Sequence, residues 1–76
     1  MNNSRRAEID EIVGILSDAK TSIEYIRDDE QDCLDSIPEN LEGSDRYSKM
    51  EMAVEHLEDA IDSLGDALES LEKASE

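Results

Sequence analysis

The chain has 76 residues, 22 of them acidic and 7 basic, for a net charge of −15. Nucleic acid and anionic membrane both repel such a surface, so neither direct nucleic-acid binding nor membrane association is expected. The single Cys33 closes no intrachain disulfide, no cysteine and histidine cluster points to zinc, and neither a bilayer-length apolar run nor a signal-peptide pattern is present, which together read as a cytoplasmic protein without cofactors.

A single domain of this size gains only about 3–5 kcal/mol from its core unless something doubles it, so oligomerisation is expected. Asn3 or Ser4 is placed to cap a first helix over about residues 4–36, with Glu8, Asp10 and Glu11 near its positive dipole end. A heptad register follows, with a at Ile9, Leu16, Ile23, Glu30 and Ile37 and d at Ile12, Ala19, Ile26 and Cys33. Beside that seam, Val13 and Leu34 occupy e and Ile15 occupies g, so the helix is apolar over more than one narrow stripe.

Pro38 disfavours helical geometry at Ile37 and should end the helix near Asp35 or Ser36. Residues 37–45 then read as the connection. Ser36 and Glu39 match a capping box for a short turn over 37–42 that Gly43 stops. Ser44 is placed to cap a second helix over about 45–73.

That helix carries the clearest pattern in the chain, the heptads AVEHLED, AIDSLGD and ALESLEK from Ala53 onward. Val54, Ile61 and Leu68 fall at a, and Leu57, Leu64 and Leu71 at d; Tyr47 and Met50 extend the seam backwards. Ala53, Ala60, Ala67 and Ala74 fill every g, an edge that lets another helix approach closely. Two long helices with a short connection must be antiparallel neighbours. Lys20 and Arg27 of the first helix then face Glu51, Glu58 and Glu72 of the second across e, as weak markers of register. The fold expected is all-α, an antiparallel two-helix coiled-coil hairpin. Pairing of two hairpins into a four-helix bundle would cover Val13, Ile15, Leu34 and the alanine edge.

Residues that could carry chemistry are few. Asp28 to Asp32 is rich in carboxylates, yet an EF-hand loop counted from Asp28 needs glycine where Cys33 stands. A di-iron bundle needs Glu-x-x-His, and the only histidine, His56, has Ala53 three residues before it. Cys33 at d, without a histidine partner, reads as packing, and Ser63 and Ser70 have no base beside them. Glu30 at a is either a register-setting polar residue or the point at which the helix leaves the seam for water; the second reading is the simpler.

Charge is the remaining signal. Glu55, Asp59, Asp62, Asp66 and Glu69 form an acidic outer face. On a rod of about 50 Å, −15 is one charge per about 3.3 Å, and a side-by-side dimer approaches the 1.7 Å spacing of duplex DNA, so a nucleic-acid mimic is one candidate. The stretch Ile26-Arg27-Asp28-Asp29-Glu30-Gln31-Asp32, then Ile37-Pro38-Glu39-Asn40-Leu41-Glu42-Gly43-Ser44-Asp45-Arg46-Tyr47 and the alanine heptads, resembles short uncharacterised proteins encoded by phages and prophages of gut and other Gram-positive bacteria. The resemblance implies a mobile-element origin and a small helical hairpin, and brings no catalytic residues.

The expected function is therefore a non-enzymatic homodimeric module that binds a host protein with a basic surface and inhibits a defence or nucleic-acid-processing enzyme. A structural oligomerisation module is the alternative. A sponge for small signalling nucleotides is a third reading, for which Arg46, Tyr47 and Lys49 are the only basic and aromatic cluster.

Overall fold

The computed structural model describes the whole chain, Met1–Glu76. Two helices, α1 (Asn3–Asp35) and α2 (Asp45–Ala74), pack against each other with a single 3₁₀ turn, Glu39–Leu41, between them and no strand. The result is an antiparallel rod measuring 59 × 15 × 13 Å.

Helix ends follow from local chemistry. Asn2, rather than Asn3 or Ser4, caps α1, its Oδ1 accepting from the Arg5 amide at 2.8 Å. At the other end the Ser36 hydroxyl donates to the Asp32 carbonyl at 2.8 Å. It is thus committed to closing α1 and does not form the expected capping box; Pro38 precedes the 3₁₀ turn without a side-chain cap. Ser44 caps α2, accepting from the Tyr47 amide at 3.2 Å.

The contact on α2 is the expected a and d seam. Val54 and Ile61 are buried, and Met50, Leu57, Leu64, Leu68 and Leu71 are half-buried. On α1 the contact is rotated from the expected one. Ile9, Val13, Leu16, Lys20, Ile23, Arg27, Glu30 and Ile37 are half-buried and Leu34 is buried, whereas Ile12, Ala19, Ile26 and Cys33 are exposed. The expected a column is kept, but the e column has replaced d.

The physical reason is that α1 has apolar residues on both sides of its a column, and α2 can cover only one side. Lys20 and Arg27 do not oppose the choice, because their aliphatic stems can lie on an apolar seam while their charged heads reach water. Lys20 lies over Gly65 of α2 without crowding: a methyl group placed there would sit 3.9 Å from Cε of Lys20, an ordinary contact. Val13 and Leu34, expected at an outer interface, belong to the intrachain seam instead.

A register correction accompanies the rotation. Lettered by the observed contact, Val13, Lys20, Arg27 and Leu34 are a, and Ile9, Leu16, Ile23, Glu30 and Ile37 are d. Ile12, Ala19, Ile26 and Cys33 then become g, and Ile15 becomes c. The expected pairs between Lys20 or Arg27 and Glu51, Glu58 or Glu72 do not form. Arg27 instead pairs with Asp28 at 2.9 Å, and the other ion pair joins Lys73 to Glu69 at 3.1 Å.

Candidate functional site: two opposed surfaces of the hairpin

Lengthwise register is set by two contacts. Nε of Arg6 donates to the Ser75 carbonyl at 3.2 Å, and Lys20 lies beside Gly65. Ala19 is therefore level with the stretch of α2 between Ala60 and Ala67.

In an antiparallel pair the g columns of both helices lie on one flank of the contact and the e columns on the other. The g flank carries Ile12, Ala19, Ile26 and Cys33 from α1 and Ala53, Ala60, Ala67 and Ala74 from α2. Ile12 is 48% exposed, Ile26 55% and the adjoining Ile15 61%, large fractions for branched apolar side chains in a chain this polar. Ala53 and Ala60 are half-buried, and Ala67 and Ala74 are exposed. On α2 the neighbouring c column is Lys49, His56, Ser63 and Ser70. No carboxylate occurs at g in either helix or at c in α2; α1 places Glu8 and Asp29 at c, on either side of Ile15 and Ser22.

The acidic residues have been moved to the remaining surfaces. Glu55, Asp62 and Glu69 at b and Asp59 and Asp66 at f form one exposed stripe on the side of α2 that faces away from α1. At the e flank, Glu51, Glu58 and Glu72 of α2 lie on the same side as Asp10 and Glu24 of α1. Only Glu69 of the stripe has a cation beside it, Lys73. With 59 Å of length, −15 corresponds to one charge per about 3.9 Å, sparser than the 50 Å rod suggests, and a paired rod would have one per about 2 Å.

The connection end holds a shallow cleft of ≈ 470 Å³ between Cys33, Ile37, Leu41, Arg46 and Met50. Cys33 is exposed there and does not pack as a core residue. Tyr47 is half-buried at the seam beside this end, and its hydroxyl is held above the ordinary 10.0 by loss of solvent, then by the negative charges of Glu42, Glu51 and Asp35. Those same carboxylates would repel a phosphate, so the cluster of Arg46, Tyr47 and Lys49 is a poor cradle for a nucleotide. Glu30 is half-buried at the edge of the seam with no ion pair. No group of three His, Cys, Asp or Glu residues converges as metal ligands would, and no helix is long and apolar enough to cross a membrane.

Sequence periodicity identifies the acidic stripe and the alanine edge directly. It misses Ile12, Ala19 and Ile26 as surface residues because they fit a heptad seam as well as the true one does. The carboxylates do not supply the distinction either: the Ile12, Ala19, Ile26 and Cys33 column holds no acid, as a buried seam also would, while the true seam column holds Lys20 and Arg27. Comparison with protein families, with curated proteins and with solved structures finds no match to this chain.

Proposed function

We propose that the chain is a protein-interaction module without catalytic chemistry, acting as a charged rod that occupies a basic surface on a partner protein. The observation that carries this reading is the stripe Glu55, Asp59, Asp62, Asp66 and Glu69, exposed along one side of α2 and neutralised only at its end by Lys73. A basic groove that accepts nucleic acid gains steering and counterion release of the same kind from such a rod, in smaller measure for a single chain because its charges stand about 3.9 Å apart. Competition with nucleic acid is thus the physical form that inhibition would take. The setting, a phage-encoded protein acting in the bacterial cytoplasm on a host defence or nucleic-acid-processing enzyme, is supported by the resemblance of the connection residues.

A second reading is favoured by a separate observation, the exposed apolar g flank. In it the hairpin is a structural module that pairs into a four-helix bundle. Both readings hold together when pairing buries the g flank and leaves the acidic faces outside.

The test of the leading reading is displacement of a fluorescent duplex oligonucleotide from a sequence-nonspecific, basic DNA-binding protein. Displacement at low salt that disappears at high salt, and that is weakened in the triple variant Asp59→Asn, Asp62→Asn, Asp66→Asn, is the expected result. Retention of the oligonucleotide at saturating protein and low salt sinks the nucleic-acid-competitor reading.

A further inference from the structure

We propose that the g flank is covered by a second copy of this chain, with α1 antiparallel to α1 of the second copy and the two connections at opposite ends. The two-fold axis passes by Ala19 of α1 and between Ala60 and Ala67 of α2. This rests on the pairing reading above and gives it a geometry.

Surface area argues for a second copy. The chain exposes 5606 Å². A compact monomer of 8.5 kDa exposes about 4,650 Å², leaving an excess of about 950 Å². A standard specific interface takes about 800 Å² from each partner. The excess is therefore of the size one interface removes.

Charge says where the second copy can sit. Two chains of −15 repel strongly, and the g flank is where they can meet with the fewest carboxylates between them. It also spans both helices, since α1 presents isoleucine and α2 presents alanine on the same side.

The pattern on that flank selects the symmetry. Ile12 and Ile26 stand seven residues before and after Ala19. On α2 the alanines are spaced symmetrically about the point between Ala60 and Ala67, and Ala19 comes level with Asp62 by the Arg6–Ser75 pairing and with Asp66 by the place of Lys20 beside Gly65, one on either side of that point. One rotation that reverses both helices then sets Ile12 on Ile26 of the second copy, Ala19 on its own counterpart, and alanine on alanine. A closed isologous dimer requires such self-complementarity.

The ends of the rod decide against the other arrangement that stacks these flanks, in which both connections lie at one end. Every charged residue from 28 to 45 is acidic. Connections at the same end would set these two acidic segments side by side. At opposite ends, each lies near the less acidic end of the other chain, where Arg5, Arg6 and Lys73 partly offset Glu8, Glu69, Glu72 and Glu76, and Arg5 is itself in the g column.

The experiment combines mass with cross-linking. Light scattering on the full chain is expected to give about 17 kDa, twice 8.5 kDa, at both low and high salt. In a Cys33→Ser background, Ile12→Cys and Ile26→Cys are made separately and treated with a short bismaleimide, alone and mixed. In the proposed dimer, Ile12 of one chain lies about 21 Å from Ile12 of the other, so only the mixture should cross-link. Ala19→Glu should weaken dimerisation at least about tenfold while the far-UV helical signal persists, since Ala19 lies outside the hairpin seam. A monomer at every concentration overturns both pairing and its geometry. A dimer that cross-links with either variant alone or with neither sample, or that survives Ala19→Glu, retains pairing and overturns this geometry.

Discussion

Arg6 and Ser75 close the open end of the hairpin: the guanidinium Nε of Arg6 donates to the Ser75 carbonyl at 3.2 Å, across 69 residues of chain. The C-terminal turn of a helix presents carbonyls without amide partners and a partial negative charge, and a cation from the neighbouring helix satisfies both. Arg6→Ala should destabilise the hairpin by about 1 kcal/mol. The check is thermal melting together with amide hydrogen exchange, which should quicken in residues 71–75 and remain slow around Ile61.

The observed seam makes a sharp contrast between two adjacent residues. Leu34 is buried and Cys33 is exposed. Leu34→Ala should cost about 2–4 kcal/mol, and Cys33→Ser less than about 0.5 kcal/mol. Urea denaturation of both variants checks this; equal costs would mean that α1 is not rotated as described.

Gly65 is not required by close packing. A methyl group there makes ordinary contact with Lys20, and one at Gly14 meets nothing within 4 Å. Because glycine is disfavoured in helix interiors, Gly14→Ala and Gly65→Ala should each stabilise the protein by about 0.8–1 kcal/mol. Melting of the two variants at matched protein concentration measures it, and a loss of stability in Gly65→Ala would reveal a neighbour closer than Lys20.

Tyr47 supplies the pH dependence. Its hydroxyl ionises above the ordinary 10.0 in the folded chain because of desolvation and the nearby Glu42, Glu51 and Asp35. A group whose folded pKa is raised contributes stability that is present below the unfolded value and is lost as pH rises through the folded one. The protein should therefore lose stability above pH 10.0, and Tyr47→Phe should lessen that loss. Ultraviolet titration of the tyrosinate band, with and without Tyr47, provides the measurement.

Net charge sets the salt response. With −15 on a rod only 15 × 13 Å across, like-charge repulsion at the e flank opposes folding, so added salt should raise Tm. A salt titration by circular dichroism gives the sign directly, and a fall in Tm would mean that ion pairs dominate over repulsion.

Much of the hairpin is legible in the sequence because its information is local. Ser44 has an oxygen for the Tyr47 amide, Pro38 stops α1 within a few residues, and the repeat of Val54, Leu57, Ile61 and Leu64 returns to one side of a helix at every turn. Each is decided by neighbours within about two turns of chain, whatever the rest of the fold does. The acidic stripe of α2 is legible for the same reason.

Sequence by itself thus determined two helices, their antiparallel connection and the seam of α2. Only tertiary structure decided which side of α1 faces that seam. Ile12, Ala19, Ile26 and Cys33 compete with Val13, Lys20, Arg27 and Leu34 for the place beside the Ile9, Leu16 and Ile23 column, and periodicity alone rewards the first set for its smaller charge. In the hairpin, Leu34 fills the core near the connection, Lys20 lies over Gly65, and Arg6 reaches Ser75. The last two join residues far apart in the chain, so the choice among apolar sides is made by the shape of the opposing helix. The same choice leaves Ile12 and Ile26 at the surface.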